Sequence, residues 1–115
     1  MMLRQYGVLL LSCVRHQRDY APYIAAHPRL KIVAVADEPG LPDWMRKANV
    51  DMAAQYDVPY IEDVDAALAR DDVQLASVCS EPTRHAQLAT QAALAGKHVL
   101  VDKPMATTLE DADRF

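Results

Sequence analysis

Glycine is scarce in this chain, with three residues in 115, so a glycine-rich loop is excluded anywhere along it. Cysteine is scarcer still. Cys13 and Cys79 form no close-spaced pair, which excludes a disulfide framework and reads as two reduced thiols in an intracellular protein. No apolar run is long enough to span a membrane. The run over residues 8–14 is followed by Arg15-His16-Gln17-Arg18, where a signal peptide would need small residues for cleavage. A basic excess is missing as well: 12 Lys and Arg against 16 Asp and Glu give a net charge of −4, which removes support for a nucleic-acid partner. There are no repeats and no low-complexity tracts. What is present, 51% hydrophobic and 24% charged residues, fits one globular cytoplasmic domain over residues 1–115.

Apolar runs and helical patterns alternate along the chain. Residues 7–13 form a continuous apolar strand, followed by a helix over 19–27 with Tyr20, Ile24 and Ala25 on one face. Lys31-Ile-Val-Ala-Val-Ala is a second strand, closed by Asp37-Glu38-Pro39-Gly40. The next helix has Pro42 near its first turn and a stripe of Trp44, Ala48, Met52 and Tyr56, read as core packing. Val58-Pro59-Tyr60-Ile61 is a third strand, and Pro59 demands an edge position. Asp63 caps a helix packing through Val64, Ala67 and Leu68. Residues 75–79 are strand four. Thr83 is a candidate cap for a helix that buries Leu88, Ala92 and Leu94 and stops at Gly96. Residues 98–101 are strand five, and Thr107-x-x-Glu110 has the spacing of a capping box. Such alternation predicts an α/β fold, a doubly wound parallel sheet of Rossmann type in three layers, with strand order 3-2-1-4-5.

The densest chemistry lies at Gly96-Lys97-His98-Val99-Leu100-Val101-Asp102-Lys103-Pro104. It reads as a helix stop, a strand covered on both faces, and an acid and a lysine at the strand's carboxyl end, where ligands of open α/β sheets bind. Pro104 turns the chain directly after Lys103. Together with Lys31-Ile-Val-Ala-Val-Ala-Asp37, Val58-Pro59-Tyr60 and Glu81-Pro82-Thr83-Arg84-His85, these residues resemble the amino-terminal domain of the Gfo/Idh/MocA oxidoreductases. The family's motif at the corner is Glu-Lys-Pro, so Asp102 is one carbon shorter. The resemblance implies a domain that binds NAD or NADP, with Lys103 as the catalytic residue touching the nicotinamide ribose and substrate. It implies a parent enzyme moving a hydride between nicotinamide and a hydroxyl of a sugar, cyclitol or other polyol. The family's carboxyl-terminal substrate domain is absent from these residues, so this chain alone is expected to bind dinucleotide without turnover.

The chain departs from the family at its dinucleotide loop, Gly-x-Gly-x-x-Gly. Counting back from Asp37 puts those glycines at Ser12, Val14 and Gln17. A β-branched Val14 is expected to be strained if its position needs a positive φ. In one reading Arg15, His16 and Arg18 compensate by giving charged donors to phosphate. In the other they form a solvated basic loop on a degenerate Rossmann domain that serves as a binding or association module. Asp37 is placed to accept from an adenosine ribose 2′-OH, which favours NAD, or is a plain turn acid. Ser80, Pro82, Thr83 and Asp102 complete the candidate cofactor contacts, each with a bland alternative in turn or cap chemistry. His85 is read as structural. Cys13, His16 and Cys79 lack a paired-ligand spacing, so no metal site is assigned. The uncovered edge of strand five is a candidate surface for self-association.

Overall fold

The computed structural model describes residues 4–114. Five strands, β1 (Tyr6–Leu11), β2 (Leu30–Ala36), β3 (Tyr60–Ile61), β4 (Leu75–Val78) and β5 (His98–Val101), alternate with helices α1 (Gln17–Ala26), α2 (Asp43–Gln55), α3 (Val64–Leu68) and α4 (His85–Leu94). A 3₁₀ turn, Pro82–Arg84, leads into α4, and α5 (Leu109–Arg114) follows β5. The strands pair in parallel in the order β3-β2-β1-β4-β5, the predicted doubly wound arrangement.

The three layers follow from the alternation of side chains along β1. Val8 and Leu10 pack with Ala21 and Ile24 of α1 and Met52 and Ala53 of α2. Leu9 and Leu11 pack on the other face with Leu68 of α3 and Leu88 and Ala89 of α4. β1 is buried on both faces, as its unbroken apolar run requires. Gly7 lets β1 start close to its neighbour, because a Cβ there would sit 1.6 Å from the Asp72 carbonyl oxygen. Gly96 takes φ +80° just after α4, the left-handed stop its residue type allows.

Several local expectations are corrected. β5 is the expected edge strand but is not covered on both faces: Val99 and Val101 pack against the core, while His98 and Leu100 on the other face are exposed, Leu100 to 49%. Trp44 is 60% exposed, whereas Met52 further along the α2 stripe is buried; the stripe turns out of the core at its first turn. Leu94 is likewise exposed. Thr83 lies inside the 3₁₀ turn and caps nothing; Glu81 and Arg84 hold the two cap positions. The α5 cap is Thr108, whose Oγ1 accepts from the Asp111 amide at 3.1 Å, one residue beyond the expected Thr107. Asp63 does cap α3, accepting from the Ala66 amide at 3.0 Å. Among the described residues no helix is long and apolar enough to cross a membrane.

Candidate active-site crevice

The carboxyl ends of β1, β2, β4 and β5 open onto one rim. After β1 the chain turns through Ser12, which adopts φ +68° and is fully buried, with no partner for its Oγ among the described residues. A non-glycine residue in this region carries roughly 1–2 kcal/mol of strain. The strain expected at Val14 therefore sits two residues earlier, where the family's first glycine falls, and Val14 has an ordinary negative φ. Gln17, at the third glycine position, is fully buried. Its Nε2 donates to the Ser12 carbonyl at 2.9 Å and to the Ser77 carbonyl at 2.7 Å, and its Oε1 accepts from the Ser77 hydroxyl at 2.8 Å. Gln17 thus sews the β1–α1 loop to β4, and its side chain is committed to the fold.

The loop and the β5 corner meet through His16. Its Nδ1 lies 2.7 Å from Asp102 Oδ2, across 86 residues of sequence. The Asp102 side chain is 2% exposed and also accepts from the Tyr20 hydroxyl at 3.0 Å and the Lys103 amide at 2.9 Å, both on Oδ1. Burial pushes the Asp102 carboxyl pKa up, but the bonds from His16, Tyr20 and Lys103 more than offset it, so the carboxyl titrates below its ordinary range. The Tyr20 hydroxyl, donating to that carboxylate, is pushed up. With Nδ1–H pointed at Asp102, the half-exposed His16 ring keeps Nε2 for other work. Asp102 does not pair with the Lys103 ammonium; it fixes the Lys103 backbone, and the exposed lysine side chain stands beyond it at a cis Lys103–Pro104 peptide. His85, fully buried, spans from the Ser80 carbonyl to the Pro104 carbonyl, 2.6 Å to each, and ties the β4–α4 loop to this corner.

The β2 end is arranged differently. Asp37 is fully buried, and its Oδ1 accepts from Arg84 Nη1 at 2.6 Å and from the Glu38 amide at 2.8 Å. Its Oδ2 accepts from Asn49 Nδ2 at 3.0 Å and, more weakly, from Arg84 Nη2 at 3.5 Å. Arg84 also holds Glu38 at 3.1 Å and Glu81 at 2.5 Å. Burial opposes the guanidinium charge, but the bonds to Asp37, Glu38 and Glu81 outweigh it and drive the pKa up. The carboxylate expected to greet a ribose is therefore already engaged by Arg84, Asn49 and the Glu38 amide. Asn49 adds a second tie, accepting from the Cys13 amide at 2.8 Å. Sequence reasoning missed both roles. The signal for Asn49 was an amide three and four residues from Met52 and Ala53 on a buried stripe; Arg84 stood in a quoted motif with no reason to look 47 residues away.

Of the remaining candidates, Ser80 is buried with its hydroxyl on the Glu81 carbonyl, while Pro82 and Thr83 sit on the 3₁₀ turn. Arg15 lends its amide to the Cys79 carbonyl, and neither the Arg15 nor the Arg18 guanidinium has a partner among the described residues. Both cysteines are free and buried. Burial raises the Cys13 thiol well above its ordinary pKa and takes Cys79 up to about 12, so neither is a ready thiolate. No three metal-ligating side chains converge among the described residues.

The sequence and fold have counterparts among known proteins. A family model described as the oxidoreductase family with an NAD-binding Rossmann fold matches residues 11–115. The chain belongs to the Gfo/Idh/MocA oxidoreductase family. Among curated relatives, the dTDP-3,4-didehydro-2,6-dideoxy-α-D-glucose 3-reductase of Streptomyces antibioticus is 31% identical over 109 residues, covering 95% of this chain and 31% of that enzyme. Among solved structures, GenD2 of gentamicin A biosynthesis, in complex with NAD, superposes with a TM-score of 0.84 at 25% identity, covering 99% of this chain and 31% of GenD2. KijD10, a 3-ketoreductase from Actinomadura kijaniata in complex with TDP-benzene and NADP, gives 0.80 at 27% identity, over 96% of this chain and 34% of that one. The chain thus spans about a third of the length of these Gfo/Idh/MocA relatives.

Proposed function

We propose that this chain is the dinucleotide-binding part of an oxidoreductase acting on a hydroxyl-bearing carbon of a sugar, cyclitol or related polyol. The observation that carries the reading is the buried Asp102 carboxylate, which locks His16 and the Lys103 backbone into one corner; Arg15 and Arg18, either side of His16, have guanidiniums without partners among the described residues. A dinucleotide fits the residues present: Arg15 and Arg18 offer charged donors to its phosphates, and the buried, unpartnered Ser12 Oγ marks the loop that would cradle them. When bound, that cofactor supplies hydride exchange with the carbinol carbon.

The chain's own groups would do the rest. Lys103 hydrogen-bonds the reacting hydroxyl and stabilises its developing charge. Asp102 positions, holding Nδ1 of His16 and the amide of Lys103 in fixed geometry. His16 Nε2 can then hold or release a proton at the rim. Val14 and Gln17 shape the loop, and Ser80, Pro82 and Thr83 form the facing wall. Sugar-nucleotide reductases among the relatives support the substrate class. The buried reduced thiols suit a cytosolic setting.

Calorimetric titration with NADH and NADPH tests the reading. Saturable binding at or below roughly millimolar cofactor is expected, weakened by Asp102→Asn. Absence of saturation for both at that concentration contradicts it.

A further inference from the structure

His85 opens α4 with its ring fully buried, and both ring nitrogens face main-chain carbonyls. Nδ1 lies 2.6 Å from the Pro104 oxygen and Nε2 lies 2.6 Å from the Ser80 oxygen. A carbonyl oxygen only accepts, so each contact needs an N–H on the ring. A neutral imidazole has one. Its other nitrogen would press a lone pair against an oxygen lone pair and leave a buried carbonyl without a donor. No other donor reaches the Ser80 or Pro104 oxygen among the described residues.

The surroundings of the ring weigh both ways. The amino-terminal dipole of α4 opposes a cation at its first residue. No carboxylate bonds the ring among the described residues: Glu81 is held by Arg84, and Asp102 by His16, Tyr20 and the Lys103 amide. The neighbouring cations do little to it, since Arg84 is shared among three carboxylates and the Lys103 side chain is exposed. Asp102 lies buried two residues before Pro104 and adds a negative charge to the corner. Charge-assisted bonds are roughly twice as strong as neutral ones, and the ring makes two, which outweighs the dipole.

We propose that His85 carries a proton on both ring nitrogens, and that this buried imidazolium is a positioning residue for Lys103. One ring joins the Ser80 oxygen, after β4, to the Pro104 oxygen, directly after Lys103. Asp102 fixes the Lys103 amide from one side, and His85 fixes the following residue from the other. The protonation state stands on the geometry alone. The role toward Lys103 as the group that meets a substrate hydroxyl rests on the function proposed above.

Nitrogen NMR of the chain labelled at histidine reads the protons directly, with the His85→Gln spectrum assigning the peaks. Near neutral pH both His85 nitrogens should carry a directly bonded proton. A ring with one bare nitrogen would overturn the proposal. Two substitutions test the clamp. His85→Gln turns an acceptor oxygen toward one carbonyl, so the Lys103 amide resonance should move. Affinity for NADH and NADPH should fall at least about tenfold, the order set by one charge-assisted contact. His85→Lys offers donors alone and should restore both readouts. A Lys103 amide indifferent to His85→Gln, or a folded lysine variant no better than the glutamine variant, would overturn the positioning role. Where a thermal melt shows a variant unfolded, the wild-type ring spectrum decides. If the wild-type chain binds neither dinucleotide while its ring holds two protons and Lys103 follows His85, the clamp stands and the dinucleotide reading falls.

Discussion

The two ends of the crevice handle charge in opposite ways. At the β2 end one guanidinium is shared among three carboxylates, one of them fully buried, and every strong donor has an acceptor. At the β1–α1 end two guanidiniums have no acceptor among the described residues, and the one buried carboxylate, Asp102, is spent on orienting His16 and Lys103. The first arrangement holds the fold together; the second carries charge that the fold, among the described residues, does not use. Buried paired charges cost much to disturb and exposed unpaired ones almost nothing, so substitutions at the two ends should separate stability from binding.

The largest effect should come from Arg84→Met, which strands the Asp37 carboxylate in the interior. A loss of about 3–5 kcal/mol in urea unfolding is expected, with much of it recovered in the double variant Asp37→Asn, Arg84→Met. A loss under about 1 kcal/mol would make Arg84 an ordinary surface residue. Next, Gln17→Ala leaves the Ser77 hydroxyl and two carbonyls short of partners and should cost about 1–3 kcal/mol by the same measurement. Ser12→Gly should act the other way, raising stability by about 1 kcal/mol as it removes both the strained φ and the unpartnered hydroxyl.

A pH series comes next in size. Folding lowers the Asp102 pKa, so its stabilising effect is complete above the ordinary carboxylate range, near 4, and fades as pH falls through the lowered value. Asp102→Asn should flatten that part of an acid unfolding curve; an unchanged slope would remove Asp102 from the account. Smallest of all, Arg15→Gln should leave stability within about 0.5 kcal/mol, and any larger loss would mean that its guanidinium already has a structural task.

Much of the scaffold was legible in the sequence because it depends on periodic, local signals. The apolar run of β1, the Asp63 cap and the Gly96 stop each act within a few residues, and the alternation they punctuate leaves few topologies besides the parallel order 3-2-1-4-5. The loop and corner were legible as places. Their wiring was not, since His16 to Asp102 and Arg84 to Asp37 join residues 86 and 47 positions apart. Trp44 misled for a related reason: helical spacing marks a stripe but not where that stripe leaves the core. Asp37 was legible as the acid closing β2, while its partners Arg84 and Asn49, 47 and 12 positions away, were not.

The central claim is that ligand meets this chain at the β1–α1 loop and the Asp102-Lys103 corner, away from the closed β2 end. Backbone amide chemical shifts, recorded as NADPH is added, test it most directly. Saturating shifts are predicted at Val14 to Arg18 and Asp102-Lys103, with Asp37 and Arg84 little moved. Shifts centred on Asp37, Glu38 and Arg84, or none near the loop, would contradict it.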